Sequence, residues 1–175
     1  QRLAAIHSLA RFISSRNPEL LEWYGELAVI PVKKRTRTAI CYLEKEEMDA
    51  VLDAPDRKTL QGRRDFAVLL FLYNTGARAG EVGQLRINQL TLSEAQQSLV
   101  RFRGKGNKER CCPLWDRTVK TSAPLIAGRG ETERVFLNRC GQPYTRFGVN
   151  GLVKRNAAKA AEVIPTLLRK RISTH

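Results

Sequence analysis

The residues best suited to chemistry lie in "NTGARAGEVGQL", residues 74–85. A greasy run, "FAVLLFLY" (66–73), stops there, Gly76 follows, and Arg78 comes next with Glu81 three residues on. That spacing lets two side chains meet on a helix. Either the two form a structural ion pair, or the arginine is held ready for an anion, since a guanidinium offers a rigid fork of donors that matches phosphate. A second basic group is "RGKGNKER" (103–110), where Lys105 stands between Gly104 and Gly106 with Arg103, Lys108 and Arg110 around it. It is not a P-loop, because G-x-x-x-x-G-K-[ST] is absent, and Glu109 breaks G-x-G-x-x-G. It reads either as a solvated hairpin or as a basic finger for a nucleic-acid groove. A third group, "KKRTR", holds Lys33, Lys34, Arg35 and Arg37. Metal chemistry is disfavoured: Cys41, Cys111, Cys112 and Cys140 form no C-x-x-C pair, and His7 and His175 stand at opposite ends. Reduced thiols are the simpler reading.

These groups need elements to position them. "RLAAIHSLARFIS" (2–14) spaces Leu3, Ile6, Leu9 and Ile13 as an amphipathic helix. A new element starts at "NPEL", and "LLEWYGEL" reads as a short helix. "PVKKRTRT" (31–38) has the composition of a basic linker. The stretch 44–55 predicts a helix with Met48, Val51 and Leu52 inward, acids in its first turn and a stop at Pro55. The stretch 62–76 is apolar almost all round and predicts the buried central helix, ended by Gly76. "RAGEVGQL" predicts another helix at once. Residues 98–114 predict a hairpin about a Gly-Lys-Gly-Asn turn, "RVFLN" (134–138) reads as a third short apolar run, and "CGQPYT" as a turn. Residues 146–163 predict a helix with Val149, Leu152 and Val153 inward and Lys154, Arg155 and Lys159 outward. A hairpin among many helices gives an α+β, helix-rich class.

The chain has 175 residues, 42% of them hydrophobic, enough for a packed core. It carries 31 Lys+Arg against 17 Asp+Glu, a net charge of +14, with a pI near 10.2. Such a balance attracts polyanions, with nucleic acid ahead of an anionic membrane surface. No apolar run approaches the roughly 18–20 residues that span a bilayer. No secretory signal is visible, and the chain opens on Gln rather than Met, as a fragment or processed chain would.

Together, "FLYNTGARAGEVGQLRINQL", "VRFRGKGNKERCCPL", "VFLNRCGQPYT" and "ISTH" resemble, in order and spacing, the tyrosine recombinases or phage integrases, in particular their bacterial Xer-like members. The resemblance covers about residues 40–175. It implies a catalytic domain over 41–175 with a small three-stranded antiparallel sheet, a basic linker over 31–40, and the end of a helical core-binding domain over 1–30. It also implies site-specific cutting and rejoining of double-stranded DNA through a 3′-phosphotyrosyl link, with no cofactor and no metal. The full-length protein is then expected in the cytoplasm, as a homo- or hetero-tetramer on DNA and not at a membrane. The resemblance places the family's first catalytic arginine on Arg78, its hairpin lysine on Lys105 and the first histidine of its H-x-x-R box on His175. Glu81 is implied as structural support. DNA contacts are expected from Lys33, Lys34, Arg35, Arg37, Arg103, Lys108 and Arg110.

The sequence departs from the pattern in ways that matter. The second arginine of the box and the nucleophilic tyrosine would both lie beyond His175, so the chain reads as a truncated fragment that binds DNA without cutting it. Tyr24, Tyr42, Tyr73 and Tyr144 all precede His175 and do not fit the nucleophile's place. Glu44 stands where the family has a Thr-type helix cap, a small stability cost. A recombinase-derived DNA-binding regulator without chemistry is the alternative reading, and a type IB topoisomerase is a more distant one.

Overall fold

The computed structural model describes residues 2–31, 42–93, 96–104, 108–170 and 172. The chain divides into two compact units, Gln1–Ile40 and Cys41–His175.

The first unit holds α1 (Arg2–Ser14), a short 3-10 turn (Pro18–Leu20) and α2 (Leu21–Val29). Ala10 and Ser14 are buried, whereas Ile6, Leu9 and Phe12 are exposed. Asn17, in extended backbone, leads into the next turn, which Pro18 opens where its missing N–H costs nothing.

The second unit is built about α4 (Leu60–Thr75). Thr59 caps its start by accepting from the Gly62 N–H at 3.0 Å. Every residue from Phe66 to Phe71 is buried, as a helix apolar on all sides requires. Around it lie α3 (Lys45–Asp53), α6 (Asp116–Ile126) and α7 (Arg146–Ala161). α3 buries Val51 and Leu52, and its first turn is closed by the Glu47 carboxylate, which accepts from the Glu44 N–H at 2.8 Å. α7 turns Val149, Leu152 and Val153 inward and leaves Lys154, Arg155 and Lys159 in water. No helix among the described residues is long and apolar enough to cross a membrane.

The sheet is antiparallel in the order β1 (Leu90–Thr91), β2 (Leu99–Arg103), β3 (Glu109–Pro113). β2 alternates as a half-buried strand does: Val100 and Phe102 face the core, Arg101 and Arg103 face water. Val100 pairs with Cys112, Phe102 with Arg110 and Arg103 with Glu109. Phe71 ties helix to sheet, standing edge-on to Phe102 (6.2 Å) and to Phe136 (5.2 Å).

The fold is helix-rich α+β with a small three-stranded sheet, as the sequence indicates, with two corrections. The run "RVFLN" is not a sheet strand; the third strand is Leu90–Thr91. Val135 and Phe136 are buried side by side, a pattern that a strand with one wet face does not allow. The run makes only isolated bridges, Arg86 with Arg134 and Leu137 with Pro143. The second correction is α6, which the periodicity did not disclose. Its sequence, DRTVKTSAPLI, is rich in Thr and Ser and carries Pro124, all poor helix formers. Burial of Thr118 and Ser122 one turn apart makes it a helix by packing rather than by propensity.

Candidate nucleic-acid interface

Residues 74–81 form a chain of local fixings that ends in one open arginine. Asn74 joins the end of α4 to the exit of β3: its amide donates to the Pro113 carbonyl (3.2 Å) and its oxygen accepts from the Trp115 N–H (2.9 Å). Gly76 then turns the chain at φ 59°, a conformation that costs a side-chain-bearing residue, and its N–H returns to the Leu72 carbonyl at 2.9 Å. Two residues later Arg78 stands at the N-cap of α5 (Ala79–Gln84). Its N–H donates to Glu81 Oε2 at 2.8 Å, and its guanidinium lies 3.4 Å from Glu81 Oε1. The Arg78 side chain is 70% exposed, against 16% for Glu81.

Glu81 also receives β3. Arg110 Nη1 and Nη2 donate to its two oxygens at 2.8 and 2.7 Å, a two-point fork. The Arg110 guanidinium lies over the Phe102 ring, 4.5 Å from its centre. These bonds hold the Glu81 carboxyl at about 2, far below its ordinary value near 4.5; Arg110's hydrogen bond is the largest cause, and partial burial works against it. Spacing alone sets Arg110 beside Arg103 and Lys108 as a DNA contact. The structure pairs its guanidinium with Glu81, which docks the hairpin on the helix that carries Arg78, and leaves the side chain 41% exposed.

A third element reaches the same place. α5 lies against the start of α7 so closely that a Cβ on Gly83 would sit 2.4 Å from the Tyr144 carbonyl oxygen. Thr145 caps α7 by accepting from the Gly148 N–H at 3.0 Å, and Arg146 is its first residue. The result is an open cleft of about 640 Å³, lined by Arg78, Arg86, Arg103, Arg134 and Arg146 together with Phe102 and Gln89. Glu81 is the one carboxylate among its described lining residues. Five cations face a single acid whose two oxygens already serve Arg110. Such a surface attracts anions.

Of the residues singled out from sequence, Arg78, Glu81, Arg103 and Arg110 converge here. Lys108 is exposed at the turn end of the hairpin, where its carbonyl accepts from the Gly104 N–H at 2.7 Å. Lys105, His175, Lys33, Lys34, Arg35 and Arg37 lie outside the described residues. Sequence reasoning missed Asn74, Arg86, Arg134 and Arg146. Arg146 left a readable sign: it opens a helix whose first turn has no acid, and a cation at the positive end of a helix calls for an anion nearby. Arg86 and Arg134 left none, because an isolated bridge between distant segments brings them together.

Comparison with known proteins gives consistent results. The sequence model of the phage integrase family matches residues 41–175. The protein y4rD of Sinorhizobium fredii is 35% identical over 178 residues, covering 99% of this chain and 63% of y4rD. Tyrosine recombinase XerD of Staphylococcus saprophyticus is 33% identical over 189 residues, covering 98% of this chain and 63% of XerD. The chain thus spans less than two thirds of either relative. The structure of the site-specific recombinase XerH bound to its difH substrate superposes with a TM-score of 0.62 at 20% identity, over 83% of this chain and 43% of XerH. At that identity the match speaks for the fold.

Proposed function

The chain belongs to the phage integrase family, the tyrosine recombinases, and from that premise we propose that its parent protein cuts and rejoins DNA strands at specific sites. The observation that carries the reading is the arginine cleft, with Arg78 in its lining and its backbone held by Gly76 and Glu81. In the proposed reaction a tyrosine oxygen bonds to phosphorus, the bond from phosphorus to the 5′-oxygen breaks, and a proton passes to that oxygen. Negative charge builds on the non-bridging oxygens, where Arg78 meets it; a fixed cation needs no reorganisation at that moment. Lys105 is proposed to supply the proton and His175 to assist at the same phosphate. Arg103, Lys108 and the linker residues Lys33, Lys34, Arg35 and Arg37 are proposed to bind the DNA backbone, and Arg110 to position the hairpin through Glu81. Residues 1–30 are proposed as the end of a core-binding domain, and a tetramer on DNA as the working assembly.

Residues 1–175 alone are proposed to bind DNA without cleaving it. The described residues lining the cleft include no tyrosine. Tyr144 is buried, which pushes its phenol up, away from the ionised form a nucleophile needs. Tyr73 is packed edge-on against Trp115 at 5.4 Å.

The test uses the complete gene product and a DNA whose bridging 5′-oxygen is replaced by sulfur, a leaving group that needs no proton. Arg78→Ala is expected to slow cleavage by roughly 10²–10³-fold for the lost charge stabilisation, and Lys105→Ala to slow it because the 5′-oxygen then leaves unprotonated. Sulfur is expected to rescue Lys105→Ala and not Arg78→Ala. Equal rescue of both, or rescue of Lys108→Ala in place of Lys105→Ala, refutes the assignment. A covalent protein–DNA band from residues 1–175 on a denaturing gel refutes their inertness.

A further inference from the structure

Two of the cleft's arginines are set unlike the others. The segments 85–88 and 131–135 run alongside each other, joined by Val135 N–H to the Leu85 carbonyl (2.9 Å), Ile87 N–H to Glu133 (3.0 Å) and Asn88 N–H to Glu131 (2.8 Å). Arg86 and Arg134 face each other across this frame as an antiparallel bridge. Each guanidinium is tied to the opposite segment's main chain or its neighbour: Arg86 Nη1 donates to the Thr132 carbonyl and Arg134 Nη1 to the Gln84 carbonyl. The Arg86 N–H is itself held by Gln89 Oε1 at 2.8 Å. Both side chains line the cleft.

The acids nearby do not neutralise them. Glu133 accepts from the Gly130 N–H (2.7 Å) and from Arg129 (3.3 Å), and Glu81 is taken by Arg110 and Arg78. The two guanidiniums start from facing positions and each reaches a carbonyl on the other side of the frame, so two positive charges stand on one wall of the cleft and favour an anion there. A phosphodiester suits the place, because it carries one charge and two acceptor oxygens and the reciprocal anchoring leaves each arginine with N–H donors to spare.

We infer that Arg86 and Arg134 form a preset clamp for one DNA phosphate, separate from the phosphate that Arg78 addresses. The inference rests on the reading of the cleft as a DNA surface and adds a positioning site to it. The clamp fixes the register of the strand in the cleft, and its order in the protein alone means that no side-chain freedom is lost on binding.

The test measures binding of residues 1–175 to a 30-base-pair duplex of arbitrary sequence across a salt series. The variants are Arg86→Ala, Arg134→Ala, both together, and Arg86→Lys/Arg134→Lys. Loss of one phosphate contact lowers the slope of log affinity against log salt by about 0.9, and affinity at 50 mM salt roughly tenfold. Each single alanine variant is expected to lose nearly as much as the pair, because both hold one phosphate. The lysine pair is expected to keep the slope, yet to bind severalfold more weakly, since it keeps charge without the fork. A control lacking two exposed lysines elsewhere, Lys58→Ala/Lys120→Ala, is expected to leave the slope unchanged. An unchanged slope in the alanine pair overturns the clamp. So does a loss of about 1.8 with additive singles, which means two separate contacts. An equal loss in the control, or a lysine pair that matches the parent, overturns it as well. Should the alanine pair fail to melt cooperatively, the lysine pair decides alone. If the unaltered chain shows no salt dependence, it is the DNA reading of the cleft that fails.

Discussion

Glu81→Gln asks whether charge, rather than shape, holds the hairpin to the helix bearing Arg78. Glutamine keeps one oxygen that can accept from the Arg78 N–H, but it loses the negative charge and replaces the second acceptor of the Arg110 fork with a donor, as a protonated carboxyl also does. The carboxyl stands at about 2 in the folded chain against about 4.5 free. At 1.36 kcal/mol per tenfold that difference sets a ceiling of about 3 kcal/mol. The Arg110 side chain is 41% exposed and Arg78 more so, so water and salt screen the pair and about 1–2 kcal/mol is expected at pH 7. For a chain of this size that lowers the melting temperature by roughly 2–8 °C. The sign follows from linkage. A carboxyl whose value is depressed by folding contributes fully above about 4.5 and loses that contribution as pH falls toward 2. The assay is therefore a pair of thermal melts, parent and variant, from pH 7 down to pH 3. The gap between them is expected to narrow below pH 5. Glu47, whose carboxyl is also held at about 2, titrates in the same window but is common to both chains and cancels. A gap that is the same at pH 3 and pH 7 refutes the argument that the Glu81 charge does the holding.

Gly83→Ala places a Cβ 2.4 Å from the Tyr144 carbonyl oxygen, so α5 and α7 must part; a cost of about 1–3 kcal/mol and weaker DNA binding are expected, from a melt and a gel-shift titration. Asn74→Ala removes both bonds that sew β3 to the end of α4, and with about 0.5–1.5 kcal/mol for each it should lower the melting temperature and speed amide exchange at Trp115. Glu47→Gln weakens the buried carboxylate that binds Thr166 (2.7 Å) and Lys170 (2.6 Å); proteolysis is expected to reach residues 165–172 sooner, and unchanged cleavage kinetics there would count against the ionic anchor.

How much of this was legible in the sequence depended on how far each feature reached along the chain. α4 was legible because the run 66–73 is apolar without a break, and Gly76 was legible as its stop because only local geometry is involved. The hairpin was legible from its turn, and Arg78 with Glu81 from their spacing. What the spacing could not tell was the third partner. Arg110 lies 29 residues beyond Glu81, and only the register of β2 with β3 turns it onto that carboxylate. The same limit hid the cleft. Its arginines come from five places, after α4, after α5, on β2, in the run at 134–138 and at the start of α7. Each alone is an ordinary surface cation.

That dispersal bears on mechanism. A cleft assembled from five segments keeps its shape only while α5, the hairpin and α7 hold together, and one residue, Glu81, joins the first two by bonding Arg78 and Arg110 at once. Gly83 joins the first to the third by letting the helices touch. Binding and positioning are therefore separable by mutation. Removing Arg103 or Arg146 subtracts one cation from the surface, whereas changing Glu81 or Gly83 leaves the number of cations intact and disturbs their arrangement. The first kind of variant is expected to lower the salt slope of DNA binding by about 0.9 where a phosphate is lost. The second is expected to keep the cations and misplace Arg78, so cleavage by the complete gene product should suffer more than affinity, as small misplacements cost rate steeply. If Glu81→Gln and Arg103→Ala change slope and cleavage in the same proportion, the division between holding the DNA and aiming the arginine is wrong.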